Sequence, residues 1–177
     1  LVAFLRRLKA ARLPVKLDTN GSAPDILNRL LAENLADYVA MDVKGPRGLW
    51  AEITGTPRTF SEAAKVRGKP DAGAEMLESM RAAARFPDHE FRTTIVPVVR
   101  IGSDISFMTA PEAAETARLI AETTGSGDHK YFIQKFVPRK NGLLDARLEN
   151  FPETPPALLE EMKKAVSIYL PKCEIRG

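Results

Sequence analysis

The apolar positions of this chain change period along its length, and the changes mark out alternating helices and strands. Leu1, Phe4, Leu5 and Leu8 follow the i, i+3, i+4, i+7 spacing of an amphipathic helix, which Pro14 ends. Val15-Lys16-Leu17-Asp18 then reads as a short strand, and Asn20-Gly21 turns the chain. Ser22-Ala23-Pro24-Asp25 has the form of a capping box with proline in the first turn. The helix it predicts carries Ile26, Leu27, Leu30 and Leu31 on one face. Tyr38-Val39-Ala40-Met41-Asp42-Val43 is an apolar run with a polar end, as expected of a strand buried in a parallel sheet. From Lys44 to Gly73 the pattern dissolves into glycine, proline and charge, a long irregular stretch of the kind that carries function or mobility.

Helical spacing returns at Met76, Leu77, Met80 and Ala84, and His89 and Glu90 lead into a β-branched strand, Phe91-Arg92-Thr93-Thr94-Ile95-Val96. Thr109-Ala110-Pro111-Glu112 is a second capping box, opening a helix with a narrow stripe of Ala113, Ala117, Ile120 and Ala121. Tyr131 to Phe136 is the next strand, and Thr154-Pro155-Pro156 opens a helix carrying Leu158, Leu159, Met162 and Val166. Lys172 to Arg176 closes as a short strand. Alternation of this kind predicts an α/β domain with a parallel sheet and right-handed crossovers. The 177 residues make one domain, 1–177, short of the roughly 250 of a complete eight-unit barrel. The expectation is an open sheet or part of a barrel.

Composition narrows the function classes. Charged residues are 28% of the chain but interleave to a net charge of +3, which predicts a solvated mixed surface and no nucleic-acid patch. No apolar run is long enough to span a bilayer, and Leu1 to Ala10 lacks the layout of a signal peptide. The single cysteine, Cys173, excludes an internal disulfide and suits a reducing cytoplasm. The chain opens on leucine inside a helical pattern with no capping signal, so a preceding segment is expected.

Strand C-termini of parallel α/β folds converge on one rim, where ligands bind. Here that rim would collect Asp18-Thr19-Asn20, Asp42 and Lys44, with Arg92 inside the third strand. Asp18 and Asp42 suit a cation or an amine, and Lys44 and Arg92 a carboxylate or phosphate. Asp18 and Asn20 beside Gly21 also read as simple turn formers. A carboxylate ending an apolar strand is costly unless paired, so Asp42 calls for a partner, with Lys44 the nearest in sequence. His89 and His129 sit in polar, loop-like surroundings and are given no role. Trp50 reads as a local anchor, and Cys173 as buried and inert.

The ordered set Val15-Lys16-Leu17-Asp18-Thr19-Asn20-Gly21, Asp37 to Lys44, Glu90-Phe91-Arg92-Thr93-Thr94-Ile95-Val96-Pro97 and Gln134-Lys135-Phe136-Val137-Pro138 resembles the radical S-adenosylmethionine (SAM) activases of glycyl radical enzymes. Within these it is most similar to the anaerobic ribonucleoside-triphosphate reductase activating proteins, across essentially the whole chain. The resemblance implies the C-terminal portion of a radical SAM partial (β/α) barrel whose first strands are missing. It implies SAM contacts at Asp18, Thr19, Asn20, Asp42, Lys44 and Arg92, with a monovalent cation at Asp18 and Asp42. It further implies a [4Fe–4S] cluster in the full-length parent, a glycyl radical enzyme as partner, and an electron donor such as flavodoxin or ferredoxin. The family's CxxxCxxC and GGEP segments are absent, so this chain offers no metal ligands for a cluster and is expected to be inactive alone. Two other readings stand beside it. One is a phosphate-binding barrel lyase or decarboxylase built on Asp42 and Lys44, with Arg47 where that pattern has its final aspartate. The other is a non-catalytic barrel remnant serving as a binding module.

Overall fold

The computed structural model describes residues 1–54, 72–100, 104–139 and 146–177. Five strands form one parallel sheet: β1 (Lys16–Thr19), β2 (Tyr38–Asp42), β3 (Asp88–Ile95), β6 (Lys130–Lys135) and β7 (Cys173–Arg176), side by side in that order. A separate antiparallel hairpin, β4 (Pro97–Val99) with β5 (Ile105–Phe107), follows β3. The helices are α1 (Val2–Ala10), α2 (Pro24–Ala32), α3 (Trp50–Thr54), α4 (Ala72–Ala83), α5 (Ala110–Thr124) and α6 (Pro156–Val166). The sheet is open among the described residues, with β1 and β7 at its edges, as in a partial (β/α) barrel.

Register divides the sheet into two unlike faces. The row Thr19, Met41, Phe91, Tyr131, Cys173 and the row Thr93, Ile133, Ile175 point to one side. That side is apolar, and α2, α4, α5 and α6, neighbours in chain order, cover it. Leu27, Leu30, Met80, Ala117, Ile120, Met162 and Val166 supply the helical half of the core. The opposite face carries Lys16, Asp18, Tyr38, Asp42, Glu90, Arg92, Lys130 and Arg176, a polar surface that alternation assigns to every second position.

The structure revises several details of the sequence reading. Helix α2 starts at Pro24 with Ala23 as N-cap and makes no side-chain cap. The N–H of Ser22 is taken by Asn20 Oδ1 at 3.1 Å, so the expected capping box does not form there. At α5 it does: Thr109 Oγ1 accepts from Glu112 N while Glu112 reaches back to Thr109 N, and Gly125 closes the helix in the left-handed region at φ 74°. Of the stripe expected on α1, Leu5 is buried, but Leu1 and Phe4 remain 64% and 59% exposed. His89 and Glu90 belong to β3, and the β4–β5 hairpin was not foreseen. Of the irregular stretch 44–73, Arg47–Leu49 is a 3-10 turn and Trp50–Thr54 is helical, while 55–71 lie outside the described residues. Trp50 is indeed an anchor, 2% exposed with its Nε1–H donating to Gly45 O at 2.7 Å.

Candidate functional site

The sheet's backbone bonding presents the polar residues at one end of the uncovered face. Val43 N–H donates to Arg92 O at 2.8 Å, and Thr93 Oγ1 donates to Val43 O at 2.6 Å while accepting from Tyr131 Oη at 2.6 Å. These bonds fasten the end of β2 to β3, so Asp42 and Arg92 are register partners on adjacent strands. Gly21, at φ 76°, turns the chain immediately after β1, and a Cβ there would collide with the side chains of Met41 and Met76.

Arg92 is the centre of the site. Its Nε donates to Asp42 Oδ1 at 2.9 Å, and its Nη1 to Asp18 Oδ1 at 2.8 Å. Asp18 lies two strands away, opposite Ala40 in the register, and the small alanine leaves the path that the guanidinium crosses. Lys44 Nζ donates to the other oxygen of Asp42 at 3.3 Å. The Arg92 side chain is only 15% exposed, whereas Asp18 and Lys44 keep 60% and 38%. Burial alone would lower the Arg92 pKa, but the charges of Asp42 and Asp18 outweigh it and raise it.

Asp18, Thr19, Asn20, Asp42 and Arg92 line one hollow of about 410 Å³, within the usual size of small-molecule sites. The sequence-derived set is therefore brought together, with differences of detail. Thr19 Oγ1 accepts from Gly21 N and Asn20 Oδ1 from Ser22 N, so both side chains also shape the turn. The two carboxylates expected to hold a monovalent cation both bind Arg92, which places a positive charge between them. A second hollow of about 470 Å³ lies at the opposite, N-terminal end of the same face, lined by Tyr38, Glu90, Lys130, Phe132 and Arg176 among others. Ion pairs fill both hollows, Lys130 with Asp88 and Arg176 with Glu90 in this one, and the strand C-terminal end is the better candidate because ligands of parallel α/β folds bind there.

Two features escaped the sequence reading. Glu90 is a buried hub of the polar face, bonded by Tyr38 and Arg176. His89 and His129 meet behind the sheet, Nε2 to Nδ1 at 2.9 Å, with Thr124 on the far side of His129. Neither was visible because both depend on pairing between residues about 40 or more apart, as the separations of 40 and 86 show.

The cofactors implied by the resemblance divide cleanly. A zwitterionic amino acid joined to a sulfonium fits a cluster of two carboxylates, an arginine and a lysine. A [4Fe–4S] cluster does not fit this chain. Its one cysteine, Cys173, is 4% exposed on the helix-covered face, and burial pushes its thiol up to about 11. Among the described residues no three His, Cys, Asp or Glu side chains are grouped to hold a metal ion.

No known family model matches this sequence. It is 27% identical over 176 residues to a protein of Methanocaldococcus jannaschii named, provisionally, a glycyl-radical enzyme activating enzyme. That alignment takes in 99% of this chain and 64% of the relative, so the chain spans just under two thirds of the relative's length. Among solved structures, a domain of a pyruvate-formate lyase-activating enzyme from Bacteroides vulgatus superposes with a TM-score of 0.58, over 100% of this chain and 89% of that one. At 14% identity this likeness concerns the fold: a parallel sheet with crossover helices, the part-barrel expected from the sequence. No helix among the described residues is long and apolar enough to cross a membrane.

Proposed function

We propose that this chain is the SAM-binding portion of a radical SAM activase, one that generates a glycyl radical on a partner enzyme. The observation that carries the reading is the Arg92 bridge between Asp18 and Asp42, with Lys44 beside it, at the C-terminal ends of parallel strands. Alignment of nearly the whole chain with a relative named for glycyl-radical enzyme activation supports it.

In this reading the methionyl end of SAM lies over the hollow at the rim. Its ammonium pairs with Asp18, whose carboxylate is the more exposed of the two. Its carboxylate pairs with Lys44 and the open edge of Arg92, in charge-assisted hydrogen bonds. Asp42, bound to both cations, holds them at fixed separation. Thr19 and Asn20 form the wall at the end of β1. Bound SAM would supply the 5′-deoxyadenosyl group for hydrogen abstraction. Cluster ligation and reduction, by a donor such as flavodoxin or ferredoxin, rest with residues outside this chain. The anaerobic ribonucleoside-triphosphate reductase is the partner that the sequence resemblance favours.

Calorimetric titration of the chain with SAM tests the reading. We expect binding tighter than about 1 mM, equivalent to about −4 kcal/mol, and its loss in Arg92→Ala. Absence of binding in the wild-type chain would remove the reading.

A further inference from the structure

Glu90 sits at the middle of the polar face and takes no part in the ligand contacts above. Its side chain is 2% exposed. The carboxylate accepts from Tyr38 Oη at 2.6 Å and from Arg176 Nη1 and Nη2 at 3.0 and 3.3 Å. Lys16 Nζ lies 3.9 Å away and Arg92 Nη1 3.8 Å away. Burial works to raise its pKa, but the bonds from Arg176 and Tyr38 and the nearby cations hold it below the ordinary value. Glu90 is therefore a fixed, ionised carboxylate linking β1, β2 and β7 to β3.

Its relation to Arg92 is specific. Nη1, the nitrogen that bonds Asp18, is the one that faces Glu90. Asp18 is 60% exposed and free to turn toward a ligand, whereas Glu90 is buried and held from both sides. When Asp18 engages a ligand amine, Arg92 keeps its Nε bond to Asp42 but Nη1 loses its anchor, and Glu90 is the fixed charge beside it. Arg176 in turn stacks over the Phe132 ring at 3.6 Å, so β7 braces Glu90.

We infer that Glu90 is the positioning residue of the rim: braced by Tyr38 and Arg176, it holds the Nη1 end of Arg92 while a ligand occupies Asp18. The inference rests on the SAM-binding reading for the ligand, but its geometry is testable without one.

The test uses Glu90→Gln, which keeps the shape and one acceptor oxygen and removes the charge. In NMR spectra of the chain, the Arg92 Nη1–H signal reports the end of the guanidinium that bonds Asp18 and faces Glu90. Its solvent exchange is expected to rise about tenfold in Glu90→Gln, the equivalent of about 1.4 kcal/mol. Unchanged exchange overturns the inference. In SAM titrations Glu90→Gln should weaken binding about tenfold beside Arg92, and by less than about twofold in an Arg92→Lys background, which keeps the positive charge but has no Nη1 to position, since coupled residues are not additive. Equal losses in both backgrounds would show a merely structural role and overturn it. Should Glu90→Gln not fold, Tyr38→Phe removes only the hydroxyl bond and should loosen the same Arg92 signal to a lesser degree. If the wild-type chain binds no SAM, the rim reading fails and the Arg92 exchange rate alone decides the role of Glu90.

Discussion

At the scale of single residues, the site depends on a small side chain as much as on charged ones. Ala40 is fully buried beneath the path that Arg92 takes from β3 to Asp18 on β1. Ala40→Leu should block that path, sever the Arg92–Asp18 bond and cost about 1–3 kcal/mol by overpacking; urea unfolding and the Arg92 NMR signal would show both. Nothing in the sequence marks this alanine, which reads as one more apolar residue of β2. Asp18, Asp42 and Lys44 were legible because they lie at or just past the end of a strand, where a parallel sheet exposes polar groups, and Arg92 because it is a charge inside one. The histidines were not, since their contact joins β3 to the start of β6. Burial lowers the pKa of both His89 and His129 below the ordinary value. An unfolded chain therefore takes up protons at a pH where the folded one does not. Stability should be level above about pH 6.5 and fall as the pH drops below it, and His129→Gln should flatten the fall. Midpoints of urea unfolding across pH 5 to 8 check this. Cys173, buried with its thiol pushed up to about 11, should react with a thiol reagent only on unfolding.

At the scale of elements, two capping signals of similar form had different outcomes. Thr109 occupies the N-cap of α5 in extended geometry and closes the full box with Glu112, which Arg100 grips further from the β4–β5 hairpin. Ser22 precedes α2 by one residue too many, because the Asn20 side chain captures its N–H and Pro24 sets the start of the helix. Thr109→Ala should therefore cost about 1 kcal/mol, whereas Ser22→Ala should change stability by less than about 0.5 kcal/mol. Differential scanning calorimetry of the two variants makes the comparison. The periodicity located the five parallel strands and the helices that cover them, since one face of each element must be apolar to build the core. The hairpin escaped because its strands, Pro97–Val99 and Ile105–Phe107, have three residues each, too few to show a period. The chain turns at Val96, whose N–H bonds Thr94 O at 2.9 Å, and pairs back with 105–107.

At the scale of the whole molecule, the sheet has one apolar face under helices and one polar face. The polar face gathers its charge around Arg92 at one end and Glu90 near the middle. That division explains why nearly every second strand position is polar in a domain whose strands are otherwise core. It also separates two tasks. In the proposed reading the rim binds and orients a charged ligand, while a chain with one buried cysteine cannot ligate a cluster by itself. After treatment with iron, sulfide and reductant, this chain should yield no 5′-deoxyadenosine from SAM. Titrating SAM into the 15N-labelled chain and mapping shifted amide signals tests whether the C-terminal rim of the polar face is the ligand site. Shifts are expected only at the ends of β1 and β2, around Thr19-Asn20-Gly21 and Asp42-Val43-Lys44, together with the Arg92 side chain. Shifts clustered instead around Lys130, Phe132 and Arg176, or none at millimolar SAM, would contradict it.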